Sequence, residues 1–155
     1  VLLKGSQHVG TSMIEIYQNC NVFNDGAFEV YTDKGSKLQE TLFLESGKPL
    51  IFGADREKAI ALDGTTPRVV NLAEANEADL MIHDERNRFQ AQLLVSFFDD
   101  PKTEGHLPRP FGVFYAEDRY RYEEAMEEQI AGATERMGKG NLDLLLSGSN
   151  VWTAE

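Results

Sequence analysis

The chain has 155 residues, with 15 Lys+Arg against 26 Asp+Glu and a formal net charge of −11. That length is about one domain, large enough to bury a core without covalent staples. A field of this sign repels phosphate backbones and anionic lipid, so nucleic acid and membrane surfaces are not expected as partners. One cysteine, Cys20, excludes an internal disulfide and suits a reducing compartment, with the cytoplasm as the expected location.

Val1 to Gly5 lacks a basic segment followed by an apolar one, so no signal peptide is expected. The chain starts without methionine, inside what reads as the end of a helix, and is expected to be a piece of a longer chain. Ser12 to Tyr17 (SMIEIY) is a short apolar run after a Gly-Thr turn and predicts a buried parallel strand. Cys20 then lies a few residues past the carboxyl end of that strand, where ligands bind in open α/β sheets. Asn19, Asn21 and Asn24 crowd it, and Asn24-Asp25-Gly26 closes the loop with turn chemistry.

Beyond residue 32 the composition shifts. Leu42 to Leu44, Leu50 to Phe52, Ile60 to Leu62 and Val69 to Leu72 are short apolar runs separated by Gly-bearing turns, the pattern of a small antiparallel meander. Leu80 to Ile82 is another such run, ending at His83-Asp84. Arg88 to Phe98 has helical spacing, with Phe89, Leu93, Leu94 and Phe97 on one face, and Asp100-Pro101 stops it. Gly112 to Tyr115 reads as a strand. Asp118 is the expected N-cap of a helix from Arg119 to Met137, closed by Gly138 and Gly140. Asp143 to Leu146 predicts at most a final turn.

Few residues offer chemistry. Cys20 has three readings open on its local sequence: a small buried hydrophobe, a thiol nucleophile, or a metal ligand. A nucleophile needs a nearby base, and His8 lies toward the opposite end of the expected strand. A metal needs three or four protein ligands, and the chain has no CxxC and no HxxxH. His83, beside Asp84 and Glu85, reads as a solvated strand end, and His106 as loop. Glu123, Glu124, Glu127 and Glu128 form a solvated acidic helix face rather than a di-metal site, because no histidine matches them. Gly138-Lys-Gly140 lacks the remaining positions of a phosphate loop.

Taken together, His8 to Phe28 (HVGTSMIEIYQNCNVFNDGAF) resembles the β subunit of 2-oxoacid:ferredoxin oxidoreductases, in the 2-oxoglutarate branch. Gly47 to Gly53 (GKPLIFG), Ala59 to Gly64 (AIALDG), Pro108 to Tyr115 (PRPFGVFY) and Leu144 to Trp152 (LLLSGSNVW) extend the resemblance over essentially the whole chain. It implies an α/β fold: residues 1–31 end a thiamine-diphosphate-binding domain, and 32–155 form a mixed C-terminal domain of short antiparallel strands and two main helices. It also implies a subunit of an enzyme that decarboxylates a 2-oxoacid oxidatively, joins the acyl group to coenzyme A and passes electrons through a [4Fe-4S] cluster to ferredoxin. Thiamine diphosphate and Mg2+ are the implied cofactors, and an α subunit is the implied protein partner.

In that family a cysteine just after the last strand of the thiamine domain is the fourth cluster ligand, and Cys20 falls on this position. The other three cysteines and the GDG…N cofactor motif belong to the family's amino-terminal half. The family often has proline before the ligand cysteine, where this chain has Asn19. The resemblance makes Asn19, Asn21, Phe23 and Asn24 the expected surroundings of the cofactor, their N–H groups tuning the cluster and the Phe23 ring excluding water. No catalytic residue is expected in this chain, and the isolated piece is expected to be inactive. The alternative from another class is a non-catalytic acidic interaction module.

Overall fold

A computed structural model describes residues 1–149 and 152. The tail run quoted above crosses Asn150 and Val151, which lie outside the described residues. The chain divides into two compact units, Val1–Glu117 and Asp118–Glu155.

In the first unit a short helix α1, Leu2–Gln7, is followed by a long exposed segment without helix or strand. Ser12 to Tyr17, expected as a strand, forms none. A strand needs a neighbouring edge for its N–H and C=O groups, and no described segment pairs with this one. After a 3-10 turn at Glu29–Tyr31, helix α2, Lys37–Glu40, leads into strand β1, Thr41–Phe43.

The expected meander is present in β2, Ile51–Phe52, β3, Lys58–Asp63, and β4, Thr66–Asn71, antiparallel in that order. The β3–β4 hairpin pairs Asp63 with Thr66, and its loop opens on Gly64 at φ 62. A two-residue hairpin loop needs such a positive φ at its first position, which glycine supplies without strain. Ala59, Ile60 and Ala61 of β3 are buried consecutively, as a central strand covered on both faces requires. Leu80 bridges Ala61 beyond the end of β2, so the Leu80–Ile82 run extends the sheet instead of forming a strand of its own.

Leu42 does not join the meander. β1 pairs in parallel with β5, Arg109–Phe111, in the register Thr41↔Arg109, Leu42↔Pro110, Phe43↔Phe111. The strand expected at Gly112 to Tyr115 lies earlier, because Gly112 turns the chain at φ 148. Helix α3, Arg88–Val95, begins at Asn87, whose Oδ1 accepts from the N–H groups of Phe89 and Gln90 at 3.0 and 3.2 Å. Its face is offset from the expected one: Leu94 and Ala91 are buried while Phe89 is exposed. The core packs Leu42, Leu50, Phe52, Ile60, Met81, Leu94 and Phe97 together.

The second unit holds helix α4, Tyr122–Met137, and helix α5, Leu142–Ser147. α4 starts three residues later than expected. The Glu124 carboxylate accepts from the Arg121 backbone N–H at 3.1 Å and pairs with the Arg121 guanidinium, making Arg121 the N-cap in place of Asp118. No residue of α4 or α5 is buried. Among the described residues no helix is long and apolar enough to cross a membrane.

Candidate functional site: the Cys20 loop

Between residues 11 and 27 every residue except Tyr17 and Cys20 is exposed. Tyr17 is the anchor. Its ring stacks on Phe28 with centroids 4.5 Å apart and meets the edge of Phe111 at 5.5 Å. Its hydroxyl accepts from Arg109 Nη1 at 2.9 Å.

Asn19 staples the loop that follows. Its Oδ1 accepts from the Gly26 N–H at 2.9 Å, and its Nδ2 donates to Asn21 Oδ1 at 3.1 Å and Asp25 Oδ1 at 3.0 Å. Gly26 stands at φ 74, which closes the turn. The Asn24 N–H donates to the Cys20 carbonyl at 2.8 Å. Asn19 thus holds both ends of an eight-residue loop, as a short amide with donor and acceptor ends is suited to do.

Cys20 itself is half-buried at the start of this loop. The N–H of Phe23, then that of Val22, hold the thiol below its ordinary value; partial burial pushes the other way, and the Asn24 N–H adds to the lowering. Hydrogen bonds to a charged form favour that form, so these N–H groups favour the thiolate. A thiolate is both a nucleophile and a metal ligand. As a ligand it is a single one: among the described residues no group of three or more His, Cys, Asp and Glu could hold a metal ion. The donor set fits one corner of an iron–sulfur cluster, since N–H groups directed at a ligating sulfur are among the features that set cluster potential.

The structure joins Asn19 and Asn21 through their side chains and brings the Asn24 N–H to the Cys20 carbonyl. The Phe23 ring is 91% exposed, and within this chain only its N–H faces the sulfur. Three residues that sequence reasoning passed over are structurally prominent. His83, expected as a solvated strand end, is 1% exposed. His106, expected as plain loop, meets Glu40 Oε2 at 2.6 Å through Nε2 and the Thr103 carbonyl at 2.8 Å through Nδ1. Arg109 is buried beneath Tyr17. The sequence signal for Arg109 was its place between Pro108 and Pro110, a stretch that reads as connector.

This mixed α/β chain presents its single cysteine in a loop fastened at Asn19 and Tyr17. It is similar to the 2-oxoglutarate oxidoreductase subunit KorB of Mycobacterium tuberculosis (strain ATCC 25618 / H37Rv), 28% identical over 158 residues that take in the whole of this chain. The chain spans 41% of that protein's length. No protein-family model matches the chain, and no solved structure matches it.

Proposed function

We propose that this chain is the C-terminal part of the β subunit of a cytoplasmic 2-oxoglutarate:ferredoxin oxidoreductase, and that Cys20 supplies one of the four thiolates of its [4Fe-4S] cluster. The observation that carries the reading is similarity along the whole of this chain to a 2-oxoglutarate oxidoreductase subunit, with Cys20 in a loop fastened at Asn19 and Tyr17. The backbone N–H groups of Phe23, Val22 and Asn24, which hold the Cys20 thiol below its ordinary value, support it. Residues 1–31 then close the thiamine-diphosphate domain, and 32–155 form the extension that packs on it and on the α subunit.

When bound, the cluster supplies one-electron transfer toward ferredoxin. The chain's own residues prepare the ligand: the loop stabilises the thiolate, Asn19 fixes the span from 19 to 26, and Tyr17 fastens the span to the body. Thiamine diphosphate, Mg2+, the 2-oxoacid and coenzyme A would be bound by polypeptide outside these residues, so the isolated piece is inactive. The exposed run Ser12 to Tyr17 is accounted for on this reading as a strand whose sheet partners lie in the thiamine domain.

The test is Cys20→Ser in the intact subunit, reconstituted anaerobically with iron and sulfide. Expected are a loss of bound iron, loss of the reduced-cluster electron paramagnetic resonance signal, and loss of ferredoxin reduction. Unchanged iron content and unchanged ferredoxin reduction would remove Cys20 from the electron path.

A second reading, a non-catalytic acidic interaction module, draws on the second unit, where Tyr122, Met126, Ile130 and Leu144 to Leu146 are exposed. Three cysteines with a CxxC pair and a GDG motif in sequence preceding Val1 favour the enzyme; their absence favours the module.

A further inference from the structure

The chain holds two Asp-Gly pairs, Asp25-Gly26 in the Cys20 loop and Asp63-Gly64 in the β3–β4 hairpin, and all four residues are exposed. Aspartate before glycine is the pairing most open to ring closure, because glycine has no side chain to hinder its own nitrogen. That nitrogen attacks the aspartate side-chain carbonyl carbon, one water leaves, and a succinimide ring forms. Water then adds back. Cleavage of the bond between the nitrogen and the side-chain carbon restores aspartate. Cleavage of the bond to the main-chain carbonyl leaves isoaspartate, in which the chain runs through the side-chain carboxyl. One water is lost and one regained, so mass is unchanged and no electrons are transferred.

At Asp25 both reacting groups are held by one side chain. Asn19 Oδ1 accepts from the Gly26 N–H at 2.9 Å, and Asn19 Nδ2 donates to Asp25 Oδ1 at 3.0 Å. The nitrogen must give up its proton and the carboxyl must turn toward it before the ring can close, and each motion breaks one of these bonds. Little else stands in the way. A Cβ built on Gly26 would meet only Glu29 Oε2, at 3.6 Å, so no packed neighbour resists the change of shape. Asp63-Gly64 is held differently: cross-strand pairing of Asp63 with Thr66 fixes its backbone, and the Asn19 side chain bonds only within its own loop.

We propose that Asp25 is a site of spontaneous isoaspartate formation, and that Asn19 restrains the reaction by occupying the attacking nitrogen and the attacked carboxyl together. Isoaspartate puts one more carbon into the main chain inside the span that Asn19 closes, and the bond to Gly26 is lost with it. The modification therefore releases the far end of the Cys20 loop. It needs water alone, and it stands or falls independently of the function proposed above.

The intact subunit is kept in warm neutral buffer, and isoaspartate at residues 25 and 63 is followed over time by peptide mapping. The two isomers share a mass, elute apart and are told apart by electron-transfer fragmentation. Methyl transfer by an isoaspartate-directed carboxyl methyltransferase gives the total. Asn19→Ala is expected to raise the rate at Asp25 about fivefold, the ratio that one lost hydrogen bond represents, and to leave the rate at Asp63 unchanged. In urea, where no fold remains, the variant and the parent protein are expected to isomerise Asp25 at one rate. An unchanged rate at Asp25 in folded Asn19→Ala overturns the proposal. So does an equal rise at both sites, which reports general loosening, or a variant effect that persists in urea. Should Asn19→Ala fail to fold, the parent protein alone decides: Asp25 is expected to isomerise more slowly folded than in urea, and equal rates overturn the proposal.

Discussion

The most demanding stability prediction concerns His83. Its ring is enclosed, with Nε2 2.8 Å from the Val113 carbonyl and Nδ1 3.2 Å from Gln90 Oε1. Gln90 cannot turn its amide to suit the ring. Its Oε1 accepts from the Asp84 N–H at 2.6 Å, and its Nε2 donates to the Ile82 carbonyl at 2.7 Å. A neutral imidazole donates from one nitrogen only, so in that form the 2.8 Å contact to Val113 is the hydrogen bond and the 3.2 Å approach to Gln90 Oε1 sets two acceptors side by side. The backbone of His83 is also committed, donating to Lys48 at 2.9 Å and accepting from Gly47 at 2.7 Å. One residue therefore joins the turn before β2, helix α3 and the chain leaving β5. Replacement by leucine keeps the volume and deletes the polar bond. The lost hydrogen bond is worth about 1 kcal/mol, and a carbonyl left buried without a donor adds roughly 1–3 kcal/mol. The added apolar surface returns about 1 kcal/mol. The net loss is about 2 kcal/mol, which for a unit of this size lowers the melting temperature by roughly 8 °C. Urea unfolding followed by circular dichroism measures it, and the His83→Leu/Gln90→Ala cycle is expected to show coupling of at least about 0.5 kcal/mol. A loss below about 0.5 kcal/mol with additive single effects would show that the ring is only filler.

Other outcomes follow from the same coordinates. Gly112→Ala places a Cβ 2.7 Å from that of Leu44 at a backbone φ of 148; a loss above about 2 kcal/mol is expected, and unchanged thermal unfolding would refute the close approach of β5 to residue 44. Asn87→Ala removes the acceptor for the first N–H groups of α3 and is expected to cost about 1 kcal/mol, read by urea unfolding. Because the Cys20 thiol is held down by N–H groups in the folded chain, its contribution to stability is present above the unfolded thiol value and is lost as pH falls through the lower folded value. Cys20→Ser should therefore flatten the pH dependence of stability in that window, and a wild-type profile already flat there would count against the thiolate. The Glu124 carboxyl is lowered first by the Arg121 side chain and then by its backbone N–H. Helicity of α4 that depends on this pair is present above the ordinary carboxyl range and lost as pH falls through the folded value, so Glu124→Gln should shrink the acid-induced loss of ellipticity.

Local patterns were legible in the sequence where they act locally. Asp63-Gly64-Thr65 announced the β3–β4 hairpin because a two-residue loop must begin with positive φ, and Gly138 announced the end of α4 for a related reason. The asparagines around Cys20 were visible as loop formers, and their mutual bonds are the sort that short amides make within a few residues. What the sequence did not carry was partnership at long range. Leu42 to Leu44 has the same apolar look as the meander strands, yet β1 pairs with residues 109 to 111, because apolar periodicity marks a face to bury and leaves the partner open. His83 reads as polar, but its partners Gln90 and Val113 stand 7 and 30 residues away. Arg121 displaced Asp118 as N-cap because its reciprocal pair with Glu124 satisfies a donor that propensity alone does not count.

The parallel β1–β5 pair also places residue 109 against the segment that leads to the Cys20 loop. Pairing Thr41 with Arg109 and Phe43 with Phe111 sets the arginine and an aromatic ring two residues apart, on the same side of β5. Tyr17 closes over both, hydrogen-bonded to one and edge-on to the other. A hydrophobic residue in place of Arg109 would pack as well, avoid a buried Nε that has no hydrogen-bond partner, and by the arithmetic of buried charge give an equally or more stable body. The guanidinium is an oriented donor, adding a directional bond to the stacking of the Tyr17 ring on Phe28 and its edge contact with Phe111. A stability gain or no change in Arg109→Met, read by urea unfolding, is the outcome this reasoning demands, and a loss above about 2 kcal/mol would count against it.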